Sequence, residues 1–153
     1  MKIKRKTLYL AYGSNLHRDQ MARRCPGAEV IGTASLKDYR LLFRGGRRGA
    51  VATVEPCEGK SVPVLLWSIT DADERSLDVY EGWPRLYRKE YVPVTVNGKQ
   101  HTAMMYVMNG EYELGEPNPG YYATIAHGYK DCGFDLAVLN QAVEDSKADS
   151  PWN

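Results

Sequence analysis

Apolar residues along this chain fall into short runs of two kinds, compact or alternating runs that suit strands and spaced runs that suit helices. Leu8 to Ala11 predicts a strand, and Leu16 to Arg24 behind it predicts a short helix that Pro26-Gly27 ends. Val30 to Leu36 and Tyr39 to Phe43 read as two strands joined by the polar pair Lys37-Asp38. After the loop Gly45 to Gly49, Ala50 to Val54 resumes a strand. Val62 to Ile69 is the most apolar run, which implies burial on both faces and puts Pro63 near its start or at an edge. Asp71 to Tyr80 predicts a helix: Thr70 or Asp71 can cap it, Glu74 completes a capping box with Asp71, and Gly82 with Pro84 stops it. Tyr87 to Val96 and His101 to Met108 read as a hairpin around Asn97-Gly98. Past the stiff loop Glu116 to Gly120, Tyr121 to Tyr129 and Asp135 to Asp145 predict two helices, the second with Leu136, Leu139 and Val143 at helical spacing. Residues 1–145 read as one domain with mixed strands and helices, and 146–153 as a loose tail.

The chain is organised around Tyr12-Gly13-Ser14-Asn15-Leu16, where the first strand turns into the first helix. Gly13 permits torsions closed to other residues and lets a ligand approach the main chain. Ser14 and Asn15 are both good caps, and the first amides of a helix have no partner within it. Such a turn offers N–H donors and a positive dipole end, and its natural guest is a carboxylate. An ordinary strand-to-helix corner has the same local features.

Composition narrows the classes without choosing among them. At 153 residues the chain is the size of one domain, and a formal charge of +1 gives no reason to expect nucleic acid or an anionic membrane as partner. No apolar run approaches the ~20 residues that span a bilayer, and the basic start has too short an apolar stretch behind it for a signal peptide. Cys25, Cys57 and Cys132 are odd in number and far apart, which argues against a disulfide framework and for a cytoplasmic setting.

Candidates for chemistry are few. His17, His101 and His127 are scattered without a ligand pattern, so no metal is expected. There is no serine elbow, no recognisable cysteine nucleophile and no phosphate-binding glycine loop. The basic run Arg44 to Arg48 reads as a solvated loop between strands in preference to a nucleic-acid patch. What remains is Tyr80-Glu81-Gly82-Trp83-Pro84. Glu81 falls at the negative end of the predicted helix, and Tyr80 and Trp83 flank it; dipole and drying would both raise its pKa toward the range of a neutral-pH acid/base. A solvated glutamate in a helix-ending loop fits the same residues.

Taken together, Leu8 to Leu16 and the later Glu81-Gly82 resemble the γ-glutamylcyclotransferase family, whose most specific string here is Tyr12 to Leu16. The resemblance extends through Gly49 to Thr53, Val64 to Trp67, Tyr87, Tyr106 to Met108 and Asn118 to Tyr121. It implies an α+β fold, a small mixed β-barrel flanked by helices, with no metal or cofactor and with dimers common. The spacing from Glu81 to Tyr87 is a residue shorter than in the animal enzymes, and their C-terminal extension is lacking. The implied reaction is cyclisation of a γ-glutamyl amide to 5-oxoproline with release of an amine or amino acid. By the same resemblance Glu81 is the general acid/base and the backbone of Tyr12, Gly13, Ser14, Asn15 and Leu16 holds the glutamyl moiety. Tyr87 and Tyr121 become hydrogen-bond donors, and Tyr9 and Met108 become pocket walls. A non-catalytic protein that binds small carboxylates on the same scaffold is the alternative.

Overall fold

The computed structural model describes residues 6–45, 49–110 and 112–147. Its elements follow in the order β1 (Thr7–Ala11), a 3-10 turn (Ser14–Leu16), α1 (Arg18–Arg24), β2 (Glu29–Arg44), β3 (Val51–Ile69), α2 (Asp71–Glu81), β4 (Tyr87–Val96), β5 (Lys99–Met108), α3 (Pro119–Cys132) and α4 (Leu136–Asp145). The strands form one mixed five-stranded sheet in the order β2-β3-β1-β5-β4. Short β1 lies at its centre, antiparallel to β3 and parallel to β5. The central strand therefore delivers residues 12–16 into the middle of the molecule.

The barrel expected from sequence does not close. β2 and β4 are the two edges of the sheet and share no ladder. They approach through side chains instead: a Cβ added to Gly32 would lie 3.0 Å from Val96 Cγ1. The four expected strands between Val30 and Ile69 are also only two. Lys37-Asp38 is a bulge within β2, where Asp38 takes a positive φ of 63° and its carboxylate accepts the Gly59 N–H from β3. Pairing runs from Arg44↔Val51 to Glu29↔Ser68 with register shifts between Val30/Gly32 and Lys37/Tyr39, and it carries both strands past the polar stretches that look like breaks in the sequence. Pro63 is paired to Ser35 on one side and lies beyond Leu65, where pairing to β1 ends, so its missing N–H removes no ladder bond there.

Three further expectations change in detail. The box that caps α2 is Thr70 with Asp73, not Asp71 with Glu74: the Thr70 hydroxyl accepts the Asp73 N–H and the Asp73 carboxylate accepts the Thr70 N–H. The expected tail begins with an anchored residue, since Ser146 is fully buried, accepts the Phe43 N–H and donates to the Ala142 carbonyl. Residues 148–153 lie outside the described part. Of the basic loop, Arg47 and Arg48 also lie outside it, and Arg44 is engaged by the Glu55 carboxylate and the Tyr112 carbonyl. Among the described residues no helix is long and apolar enough to cross a membrane.

Helix α3 fixes the 3-10 turn from the opposite side to the sheet. Gly128 is buried in this contact, and a Cβ there would lie 2.5 Å from Leu16 Cβ and 2.8 Å from the Leu16 carbonyl carbon. The second of those atoms is main chain, which cannot rotate aside. Gly128→Ala is therefore expected to cost about 1–3 kcal/mol as an overpacked contact. Gly120→Ala in the same helix meets only ordinary contact, 3.6 Å from Asn118 Oδ1, and serves as the control. Urea denaturation of the two variants beside the parent protein checks the difference.

Candidate active site

Where β1 ends, the chain makes a single 3-10 turn before α1 begins. The Leu16 and His17 N–H groups close it on the carbonyls of Gly13 and Ser14. Neither Ser14 nor Asn15 caps α1, as the sequence suggests they would; the cap is His17, whose Nδ1 accepts the Gln20 N–H. One turn also carries too few aligned peptides for much of a dipole. What it offers is main chain: among the described residues the N–H groups of Gly13, Ser14 and Asn15 have no backbone partner. Gly13 keeps the main chain open here: a Cβ would press within 3.2 Å of Ala52 Cβ.

Released from capping, the two polar side chains tie the turn to its surroundings. Ser14 Oγ shares a hydrogen bond with the Tyr80 hydroxyl at 2.9 Å. Asn15 Nδ2 donates to the Tyr9 hydroxyl at 2.9 Å, Asn15 Oδ1 accepts from Arg24 Nη1 at 2.6 Å, and its carbonyl accepts from the Trp67 indole at 3.2 Å. Asn15 is 2% exposed, so each of these bonds compensates for lost water.

The turn forms one wall of a cavity of about 250 Å³. Tyr9, Tyr12, Gly13, Ser14 and Asn15 line it from the β1 side, Val51 and Ala52 from β3, Tyr80 and Glu81 from the end of α2, and Tyr121 from the first turn of α3. Leu86, Tyr87 and Tyr106 complete the lining. Glu81 is held there by the way α2 stops. Gly82 takes the left-handed conformation at φ 66°, and the Trp83 N–H reaches back to the Asp78 carbonyl, so the chain turns away directly behind the carboxyl.

Burial pushes the Glu81 carboxyl up to about 7, and the charge of Arg24 draws it partly back. Of the two causes the sequence offers, helix dipole and drying, it is loss of water that chiefly raises the carboxyl. Tyr80 does line the cavity, whereas Trp83 does not; its ring instead stacks under the Lys89 ammonium, 4.1 Å from the centroid.

Counting hydrogens on the phenols shows what the cavity presents. Tyr12 donates to the Tyr106 carbonyl, Tyr87 to the Ala52 carbonyl and Tyr106 to Asp78, so the hydrogens of these three are committed to protein. Tyr9 and Tyr121 do the reverse. Tyr9 accepts from Asn15 and Tyr121 accepts the Ala52 N–H at 3.0 Å, which leaves both hydroxyl hydrogens for a guest. Burial holds the Tyr9 and Tyr121 phenols above their ordinary pKa, so both remain protonated donors.

Of the ten residues the sequence singles out, Tyr9, Tyr12, Gly13, Ser14, Asn15, Glu81, Tyr87 and Tyr121 meet around this cavity. Leu16 and Met108 do not. Leu16 is fully buried behind the turn against Gly128, and its N–H is used within the turn. Met108 faces a neighbouring hollow with Arg44, Thr53 and Glu55, and its N–H goes to Thr53 Oγ1. Sequence reasoning missed Tyr106, Val51, Ala52, Leu86 and Arg24. Tyr106 had a usable signal, because it belongs to the Tyr106 to Met108 stretch that carries part of the family resemblance. Arg24 had none, since only folding brings the end of α1 under Asn15.

Comparison with known proteins agrees with this construction. The family model described as "Gamma-glutamyl cyclotransferase, AIG2-like" matches residues 9–128. The γ-glutamylcyclotransferase of Bos taurus is 33% identical over 141 residues, covering 84% of this chain and 73% of that protein. That of Homo sapiens is 33% identical over 138 residues with the same coverage. A solved γ-glutamyl cyclotransferase structure superposes with a TM-score of 0.81 at 29% identity, over 94% of this chain and 89% of that one. Sequence and fold point the same way across nearly the whole chain, which belongs to the γ-glutamylcyclotransferase family.

Proposed function

We propose that the chain is an enzyme that cyclises a γ-glutamyl amide to 5-oxoproline and releases an amine or amino acid. The observation that carries this reading is the position of Glu81, which shares one small cavity with the unpartnered N–H groups of residues 13–15. Those N–H groups receive the substrate's α-carboxylate, and the free hydroxyl hydrogens of Tyr9 and Tyr121 serve its other oxygens. The nucleophile is the substrate's own α-amine. It attacks the γ-carbonyl carbon, a five-membered ring closes, and the bond to the leaving nitrogen breaks.

Glu81 is suited to carry the proton between those two nitrogens. An ordinary carboxylate near 4.5 is a poor base toward an ammonium of about 8. At about 7 the transfer is uphill by only about 1.4 kcal/mol, and the resulting acid is then strong enough to protonate the departing nitrogen. Ring closure is intramolecular, so holding the glutamyl arm folded supplies much of the rate; well-aligned cases reach effective molarities of ~10⁵ M or more. The three cysteines are free thiols, which suits the cytoplasmic setting that goes with this reading.

Incubation with γ-glutamyl-alanine is expected to yield 5-oxoproline, read by mass spectrometry. Glu81→Gln should lower turnover by roughly 10²–10⁴-fold while keeping affinity for 5-oxoproline in calorimetry. Near-normal turnover by that variant would falsify the role given to Glu81. In the parent enzyme kcat/KM should rise with pH through about 7 as the carboxyl ionises.

The same residue has a signed effect on stability. Between pH 4.5 and about 7 the folded protein keeps a Glu81 proton that the unfolded chain has released, so this group makes stability fall as pH rises through that window. The penalty is complete above pH 7 and absent below 4.5. Glu81→Gln is therefore expected to be more stable than the parent at pH 8, by at most about 3 kcal/mol, with the gain vanishing at pH 4. Urea denaturation at the two pH values tests it.

A further inference from the structure

Arg24 lies outside the cavity lining, yet it touches two of the residues that form it, Asn15 and Tyr80. Its Nη1 donates to Asn15 Oδ1 at 2.6 Å and its Nη2 to Gln20 Oε1 at 2.9 Å, and the guanidinium carbon stands 3.6 Å above the Tyr80 ring centroid. The contact with Asn15 has a consequence for Tyr9. A primary amide can turn either its oxygen or its NH₂ toward a neighbour, and a hydroxyl accommodates both. A guanidinium cannot accept, so the amide oxygen must face Arg24 and the NH₂ must face Tyr9. Tyr9 is then obliged to accept on its protein side, and its hydrogen is left for the cavity.

We propose that Arg24 is a positioning residue of this enzyme: through Asn15 it directs the Tyr9 hydroxyl hydrogen into the cavity, and stacked on Tyr80 it brings a positive charge to the wall that Tyr80 shares with Glu81. This rests on the cyclotransferase reading and extends it to a residue that touches no substrate. Around Glu81 the titratable groups are Tyr9 and Tyr12 from the β1 side, Tyr80 from α2, Tyr87 from β4, Tyr106 from β5 and Tyr121 from α3 on the cavity wall, with Arg24 of α1 behind it. Only Arg24 among them is a cation. Its charge lowers the carboxyl that burial raises, and Tyr9, raised chiefly by burial, is raised further by the Glu81 charge, so the three groups share one electrostatic field.

Two substitutions separate the two effects. Arg24→Met removes both fork and charge. It should lower kcat/KM by about 10–100-fold and move the acid limb of its pH profile upward by about one pH unit. Arg24→Lys keeps the charge but not the planar fork, so the rate should fall while the limb stays. Tyr9→Phe should lower the rate without moving the limb, and combining it with Arg24→Met should add little, because Arg24 acts on the rate chiefly through the Tyr9 hydroxyl. Multiplicative loss in the double variant, or a limb that does not move in Arg24→Met, overturns the proposal. Titration of ¹³C-labelled Glu81 by NMR gives the same shift without turnover. If the parent protein releases no 5-oxoproline yet that titration moves in Arg24→Met, the coupling stands and the catalytic reading fails. Should Arg24→Met not fold, Arg24→Lys alone and combined with Tyr9→Phe carries the test: loss that multiplies, or a displaced limb, overturns it.

Discussion

A half-buried carboxyl group on the wall of a cavity, with a cation near but not touching it, is the constraint on which this structure turns. Glu81 sits at the end of α2 among phenols, and the loss of water raises it to about 7. Arg24 lies close enough to be felt, but its nitrogens are taken by Asn15 and Gln20 and its plane by Tyr80. It forms no salt bridge with Glu81. A direct pair would return the carboxyl to the ordinary range or below it, and the group would lose its value as a base near neutrality. Sequestering the cation one residue away keeps the charge soft.

The scaffold exists to hold that arrangement from several directions. Central β1 brings the 3-10 turn into the interior, where Trp67 of β3 anchors it by the Asn15 carbonyl and Gly128 of α3 lets the helix close on Leu16. Gly82 ends α2 with a sharp reversal, so Glu81 is the last helical residue and the chain behind it leaves the cavity clear. Phenols supply the remaining wall. Buried hydroxyls need partners, and the partners they find decide which hydrogens stay available: Tyr12, Tyr87 and Tyr106 are spent on the frame, while Tyr9 and Tyr121 are not. Architecture and chemistry are thus joined at the level of single protons.

Where the structure departs from the sequence pattern, tertiary partners override local propensity. Lys37-Asp38 and Glu55 to Ser61 look like turns because they are polar, yet ladder pairing on both sides of the register shift at Lys37/Tyr39 holds β2 and β3 together. Ser14 and Asn15 are good caps in isolation, but tertiary partners claim their side chains and leave the cap to His17. The barrel fails to close because the edges β2 and β4 meet by side chains such as Val96 against Gly32, with no ladder between them.

Local order along the chain determined the strand that leads into a glycine turn, the capped helix that ends at Glu81-Gly82, and the hairpin at Asn97-Gly98, because each depends on neighbours a few residues away. The same local order carries the Tyr12 to Leu16 string by which the family is recognised. Only tertiary structure decided that residue 81 faces residues 13–15 across one cavity, that Met108 is excluded and Tyr106 included, and that Arg24 reaches Asn15. Those facts depend on burial and on how the turn, helix α1 and the end of α2 pack on the sheet, and neither exists until the sheet has assembled.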